Sequence, residues 1–130
     1  MTKQEKLMLL SKEQLIDIIL LHNGYNRKIT PISTLFIVAK TMLAIERATG
    51  IPYKEFSTGG NNTNYVYCRY IYCYLCKENG MKESIIHRFI NRDRSTVYNA
   101  IKKAKEEFES NKDFINLYKL VVNEVSKLTR

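Results

Sequence analysis

The sequence predicts an all-α fold, a bundle of several helices that contains a helix-turn-helix. Most segments carry apolar residues at intervals of three and four, which is the spacing of one face of an α-helix. Capping patterns and the glycines Gly50 and Gly80 separate these segments, as expected of helix starts and stops. With 130 residues and 45% apolar content, the chain is long enough to bury a core.

The N-terminal part predicts short helices followed by a long one. Two capping patterns, Thr2-x-x-Glu5 and Ser11-x-x-Gln14, predict one or two helices that end at Asn23-Gly24. Pro31 favours the first turn of a new helix, which we expect to run to about residue 48, before Gly50. We assign residues 1–40 to an N-terminal helical extension and residues 41–130 to the helix-turn-helix domain. The extension is a candidate surface for a homodimer or a protein partner.

The middle of the chain is harder to assign. Residues 59–64, Gly-Gly-Asn-Asn-Thr-Asn, predict a loop. Tyrosines then alternate through residues 65–75, which favours a strand by local propensity. We predict a helix instead, because an apolar stripe at helical spacing runs through the same segment and Asn79-Gly80 supplies a stop. That stripe consists of Cys68, Ile71, Tyr72 and Leu75.

The C-terminal half predicts three helices. Residues 81–89 form a short helix with Ile85, Ile86 and Phe89 inward, and Ile90-Asn91 makes a turn. The next helix begins near Asp93 and carries a buried stripe of Val97, Ile101, Ala104 and Phe108. The last helix follows Ser110-Asn111, and its stripe either packs within the monomer, which we favour, or forms a dimer seam. The stripe of the last helix consists of Phe114, Leu117, Val121, Val125 and Leu128.

The helix near Asp93 has the charge pattern of a DNA-reading element. The chain has a formal net charge of +8, and residues 88–105 hold six basic residues against one acid. Arg92 and Arg94 stand at the N-terminal end of the helix, where recognition helices meet base edges. The polar face opposite the apolar stripe suits a major groove. It carries Ser95, Asn99, Lys102 and Lys103.

Each of these residues also has an ordinary structural role open to it. Arg92 and Arg94 could pair with Asp93 or a neighbouring helix, and exposed pairs of that kind contribute only about 0–1 kcal/mol. Asp93 could orient Arg92 or accept from a cytosine, or it could simply cap the helix. Lys102, Lys103 and Lys105 could neutralise phosphates or lie on a solvated face.

Three blocks of sequence, in order, resemble the C-terminal DNA-binding domain of the bacterial replication initiator DnaA, which shares its helical architecture with the Trp repressor. Arg92-Asp93-Arg94-Ser95-Thr96-Val97, followed by Ala100 and Lys102-Lys103, is similar to the signature of that family. Arg69-x-Ile71-x-x-Tyr74-Leu75 resembles its preceding helix, and Ile51 with Glu55-Phe56 resembles a further block. The resemblance implies that residues 92–96 touch bases or adjacent phosphates, and that Arg69 and Lys103 touch the DNA backbone.

The chain also departs from that family. Arg94 replaces a histidine, Ile86 replaces a glycine and Ile90-Asn91 replaces a Gly-Gly turn. The neutral residues 59–64 stand where the family has a basic loop that reaches the minor groove. We therefore expect a different target sequence. No Gly-x-x-x-x-Gly-Lys-Ser/Thr occurs, so the chain lacks the phosphate-binding loop of an ATPase module.

Other chemistry is weakly indicated. Cys73-x-x-Cys76, with Cys68 and His87, has zinc-ligand residue types, but two cysteines inside a helix are more typical of a core, and we expect no metal and no cofactor. The tyrosines could stack on single-stranded bases, although we favour internal packing. No nucleophile accompanies His22 or His87, so we expect no enzyme. An odd number of cysteines, no secretory signal and no apolar run of membrane-spanning length indicate a soluble, cytoplasmic protein.

These observations predict a sequence-specific, double-stranded DNA-binding protein that acts in transcription regulation or replication. An alternative is an adapter that keeps the helix-turn-helix fold and binds a protein through residues 1–40. An enzyme acting on nucleic acid is a third hypothesis, for which the sequence offers no carboxylate or metal cluster.

Overall fold

The structure is a computed structural model that describes residues 32–128, and within that range it is entirely helical, with no β-strand. Helices account for 83% of these residues, which confirms the all-α prediction. The one or two helices predicted before Pro31 lie outside the described residues, as does most of the partner surface assigned to residues 1–40. No helix of the described part has the length and apolar character needed to cross a membrane. The helices are α1 (Ile32–Thr49), α2 (Tyr53–Thr58), α3 (Thr63–Glu78), α4 (Glu83–Ile86), a 3-10 turn (His87–Phe89), α5 (Arg94–Ser110) and α6 (Lys112–Leu128).

Helix α1 is the long apolar helix predicted after Pro31. It ends where Gly50 adopts a φ of 75°, and the amide of Gly50 donates to the carbonyl of Glu46 over 2.7 Å. The predicted domain boundary between residues 40 and 41 falls inside this helix. Val38 and Met42, on either side of it, are buried in the same core. Residues 32–40 thus share a core with the residues that follow them.

Helix α6 packs chiefly against α1. The predicted stripe faces the core, because Phe114 and Val121 are fully buried and Leu128 is almost so. Asn111 caps this helix by accepting from the amide of Phe114 over 3.1 Å, and it donates to the Tyr67 hydroxyl over 2.7 Å. The C-terminal stripe is thus used for packing within the described chain.

Helix α3 occupies the centre and contacts α1, α2 and α5. The helix prediction for this tyrosine-rich segment is confirmed, and the competing strand is excluded. Cys68, Ile71 and Tyr72 are fully buried. The outward tyrosines meet rings from α5 and α6, with centroid separations of 4.8 Å for Tyr74 and Phe108 and 5.3 Å for Tyr67 and Phe114.

Helix α2 is not predicted by the sequence pattern. It has six residues, too few to show a helical period, and it follows the extended residue Pro52. Phe56 is fully buried, and its ring lies against that of Tyr72 on α3, with ring centroids 6.3 Å apart. A tertiary contact rather than local propensity therefore holds this turn of helix.

The segment before α5 is shorter and tighter than expected. The sequence predicts a helix over residues 81–89, whereas α4 covers Glu83–Ile86 and the chain continues as a 3-10 turn. Of the three residues predicted to point inward, Ile86 and Phe89 are fully buried and Ile85 is partly buried. Asn91 then adopts a φ of 53°, a left-handed conformation that asparagine tolerates better than most residues. This turn redirects the chain into α5.

Candidate nucleic-acid interface

Helix α5 has one face in the core and the opposite face in solvent. The predicted stripe is confirmed, because Val97 and Ala104 are fully buried and Ile101 is 7% exposed. Ala100 joins this buried face. The core therefore determines which way the helix points. The outward residues, all exposed, are Arg94, Ser95, Tyr98, Asn99, Lys102 and Lys103.

Asp93 caps α5, which confirms its predicted structural role. Its carboxylate accepts from the backbone amide of Thr96 over 2.7 Å and from the Ser95 hydroxyl over 2.8 Å. Hydrogen bonds from Thr96, and then from Ser95, lower the pKa of Asp93 to about 2. Asp93 is therefore ionised at neutral pH, and the orientation of Ser95 is defined at the start of the outer face.

Arg94 is exposed, and no residue between 32 and 128 forms a hydrogen bond or an ion pair with it. Its charge acts on Glu83, whose pKa is lowered by a backbone hydrogen bond and by Lys77, and to a smaller extent by Arg94. Arg94 is the first residue of α5, so its guanidinium projects from the N-terminal end of the helix. An arginine in this state is available for an anionic or hydrogen-bonding partner outside the chain.

Arg69 is engaged within the chain, and its expected contact with the DNA backbone stays a prediction. Only 8% of the residue is exposed. Its Nη1 donates to the carbonyls of Phe56 and Gly59, over 2.8 and 3.2 Å, and its Nη2 donates to the carbonyl of Gly60 over 2.9 Å. Arg69 thus binds the end of α2 and the following loop to α3, because carbonyls with no helical partner need donors.

Arg92 is also turned inward. Its Nη2 donates to the Gly59 carbonyl over 2.6 Å, so two guanidinium groups meet at one oxygen. Burial lowers the pKa of Arg69, and the nearby charge of Arg92 lowers it further. The Nε of Arg92 is buried without a hydrogen-bond partner in the described part of the chain. Arg92 therefore ties the turn before α5 to the loop, and a contact with DNA stays a prediction that would need its remaining donors.

The loop between α2 and α3 lies beside α5. A cleft of about 300 Å³ separates the two, with Asn61 on the loop side and Thr96, Asn99 and Lys103 on the helix side. Gly59 packs so closely that a Cβ there would lie 2.5 Å from the Tyr65 ring, whereas Gly60 has open space around it. The neutral loop is thus held in one position next to the polar face of α5.

The lysines of α5 differ in their surroundings. Lys103 forms an exposed ion pair with Glu106, Nζ to Oε2 3.4 Å, and such pairs are weak enough to exchange for another anion. Neither Lys102 nor Lys105 has an ion-pair partner among residues 32–128. Positive charge therefore extends along α5 from Arg94 to Lys105 before the acidic residues begin.

The cysteines are core residues. All three are free and buried, and within residues 32–128 no group of three or more potential ligands could hold a metal ion. Burial raises the pKa of the Cys68 thiol to about 11 and that of the Cys76 thiol to about 12. Burial also raises the pKa of Cys73 well above its usual value. Thiols in this state are poor ligands and poor nucleophiles.

The site combines a capped helix, an unpaired N-terminal arginine, amide and hydroxyl groups, and two unpaired lysines on one exposed face. Among proteins of known fold, this arrangement is typical of helices that enter a DNA groove. Comparison of the chain with protein-family models, curated proteins and solved structures finds no match in any of the three.

Proposed function

We propose that this protein binds double-stranded DNA in a sequence-specific manner, with α5 lying in the major groove as the recognition helix of a helix-turn-helix. In this proposal α4 and the 3-10 turn form the first helix of the motif. The architecture proposed is that of the initiator C-terminal domain and the Trp repressor. The role would be in transcription regulation or replication.

One observation carries the proposal: the side of α5 opposite the core presents cations and hydrogen-bonding groups, and three of them, Arg94, Asn99 and Lys102, form no hydrogen bond or ion pair within residues 32–128. Asn99 lies between Arg94 and Lys102 on the same side. Arginine forms bidentate bonds to guanine and asparagine to adenine in the major groove. Unpaired lysines at the flank of such a helix contact phosphates.

Arg69 and Arg92 donate to backbone carbonyls within the chain, so we leave them out of the residues proposed to contact bases. We assign base contacts to Arg94, Ser95 and Asn99, and phosphate contacts to Lys102 and Lys103. Arg92 keeps the turn and the loop together, so its effect on binding is mainly that of a positioning residue. Thr96 lines the cleft between the loop and α5 and contributes at the edge of the contact.

The test begins with selection of random duplexes on the purified protein, followed by affinity measurements on the selected sequence by fluorescence anisotropy. We expect Arg94→Ala to lower affinity for that sequence by about 5- to 150-fold, which corresponds to about 1–3 kcal/mol for a base contact. Affinity for unrelated duplexes should change far less. Lys102→Ala should weaken all duplexes alike and reduce the slope of log K against log salt by about 0.9.

Lys119→Ala is the matched control, because Lys119 is an exposed lysine on α6 rather than on α5. It removes the same charge and should leave sequence preference unchanged. An affinity that responds equally to Arg94→Ala and Lys119→Ala would contradict groove reading by α5.

The adapter hypothesis is favoured by one observation, the commitment of both Arg69 and Arg92 to backbone carbonyls beside a neutral loop. In that case duplex selection yields no consensus, and a protein partner binds with an affinity that Arg94→Ala does not alter. The same selection experiment therefore separates the two functions.

A further inference from the structure

Tyr98 stands apart from the other aromatic residues of the helical domain. It is 64% exposed, more than any other large apolar side chain among the described residues. The tyrosines at 67, 70, 74 and 118 all pack against other rings, whereas Tyr98 has no ring contact within residues 32–128. A single exposed apolar residue is ordinary on a protein surface, so its position decides what it means.

That position is the middle of the proposed reading face. Tyr98 lies one helical turn after Arg94 and one turn before Lys102, so the three side chains form one row along α5. Ser95 and Asn99 flank the row. The ring also borders a cleft of about 300 Å³ that Lys102 and Lys105 line on the same helix. The ring of Tyr98 therefore lies between Arg94 and Lys102 along the helix and faces the partner that α5 is proposed to bind.

Lys77 and Glu83 line the far wall of this cleft and form an ion pair with each other, Nζ to Oε1 3.1 Å, so this wall presents charged groups rather than an apolar surface. The ring of Tyr98 is thus the largest apolar surface available at that point of the face. In a major groove, the C5-methyl group of thymine is the apolar group that base edges offer to such a surface.

We propose that Tyr98 is a specificity-determining residue that contacts the C5-methyl group of a thymine in the major groove. The inference rests on the proposed function, because it requires α5 to lie in the groove. Burial of one methyl group against the ring gives a preference for thymine over uracil at a single position, without any change in base pairing. The size of this preference is about fourfold, the contribution of one buried methyl group.

The experiment uses the duplex that the wild-type protein selects and replaces each thymine in turn by deoxyuridine, which removes the methyl group alone. Affinity is measured by anisotropy at one salt concentration. We expect one substituted position to lower wild-type affinity about fourfold. Tyr98→Phe should keep this loss, since the ring remains, and Tyr98→Ala should bind the thymine and uracil duplexes equally.

Leu120→Ala is the matched control, because Leu120 is also a large exposed apolar side chain, 54% exposed, but on α6. It should keep the full uracil penalty. Because Tyr98 is exposed, its variants should retain the far-UV circular dichroism and melting temperature of the wild type, which establishes that they fold.

The outcomes separate the inference from the function on which it rests. If the wild type selects a sequence but tolerates uracil at every position, or if Tyr98→Ala keeps the penalty, the inference is overturned and DNA binding stands. A selected sequence without thymine has the same consequence. The protein could also bind single strands more tightly than duplexes, in a manner that depends on Tyr98. That result would indicate base stacking rather than a methyl contact and would overturn the inference. Failure to select any duplex removes the proposed function and the inference together.

Discussion

The close packing of Gly59 makes its replacement the most informative single change in this structure. Its φ of −69° and ψ of 165° suit any residue, so Gly59→Ala introduces no backbone strain. The new Cβ would instead lie 2.5 Å from Cδ2 of Tyr65 and 2.6 Å from the carbonyl oxygen of Glu55. That oxygen accepts from the Gly59 amide over 2.7 Å, so moving it loosens the end of α2.

The expected cost follows from this geometry. Overpacking a closely packed site typically destabilises a protein by about 1–3 kcal/mol, and one of the two clashing groups here is backbone that cannot rotate away. Gly60→Ala is the matched control, since nothing lies within 4 Å of a Cβ at Gly60 and its φ is outside the left-handed region. We expect it to be neutral or stabilising by about 0.4–1 kcal/mol.

Urea unfolding followed by far-UV circular dichroism measures the difference, with the slope against urea unchanged if only the native state is affected. The Gly59 carbonyl accepts hydrogen bonds from both Arg69 and Arg92. We therefore expect a displaced Gly59 to weaken DNA binding as well as stability. DNA affinity should fall for Gly59→Ala and stay constant for Gly60→Ala. Equal stability of the two variants would refute our account of the loop as a clamped element.

Two further predictions concern the cap and the thiols. Asp93→Ala should lower the free energy of unfolding, whereas Asp93→Asn keeps a capping oxygen and should lower it less. Folding lowers the pKa of Asp93 to about 2, so its contribution to the free energy of unfolding is fully present above its unfolded pKa and is lost as the pH falls through about 2. Unfolding measurements on the wild type and Asp93→Asn over a range of acid pH values test this. Cys68, Cys73 and Cys76 are buried with raised pKa values, so a thiol reagent should label them only after denaturation; labelling of the native protein at mildly alkaline pH would contradict their placement.

The sequence predicts well whatever depends on local physics. The long helices, the apolar stripe of α5, the stop at Gly50 and the cap at Asp93 all follow from spacing and from residues within one helical turn. The choice of helix for the tyrosine-rich segment also succeeds, because the stripe of period 3.6 outweighs strand propensity once one face is buried.

Other features escape such reasoning. Helix α2 is too short for periodicity and depends on burial of Phe56. The core shared by the apolar residues on both sides of residue 40 also depends on packing between helices, and the boundary assigned there stays a prediction. The charge pattern of α5 does not single out Tyr98, although its spacing of four from Arg94 and from Lys102 places it on the same row.

The amino-acid sequence by itself determined that α5 is a capped, two-faced helix with positive charge on its outer side, since every residue involved lies within a few positions of its neighbours. Only the tertiary structure decided which cations remain free. Arg69 and Arg92 find the Gly59 carbonyl 10 and 33 residues away along the chain, a separation over which no local pattern operates. Folding brings them to that oxygen because a carbonyl at the end of α2 without a helical partner needs a donor, whereas Arg94 forms no hydrogen bond or ion pair within residues 32–128 and is left facing solvent.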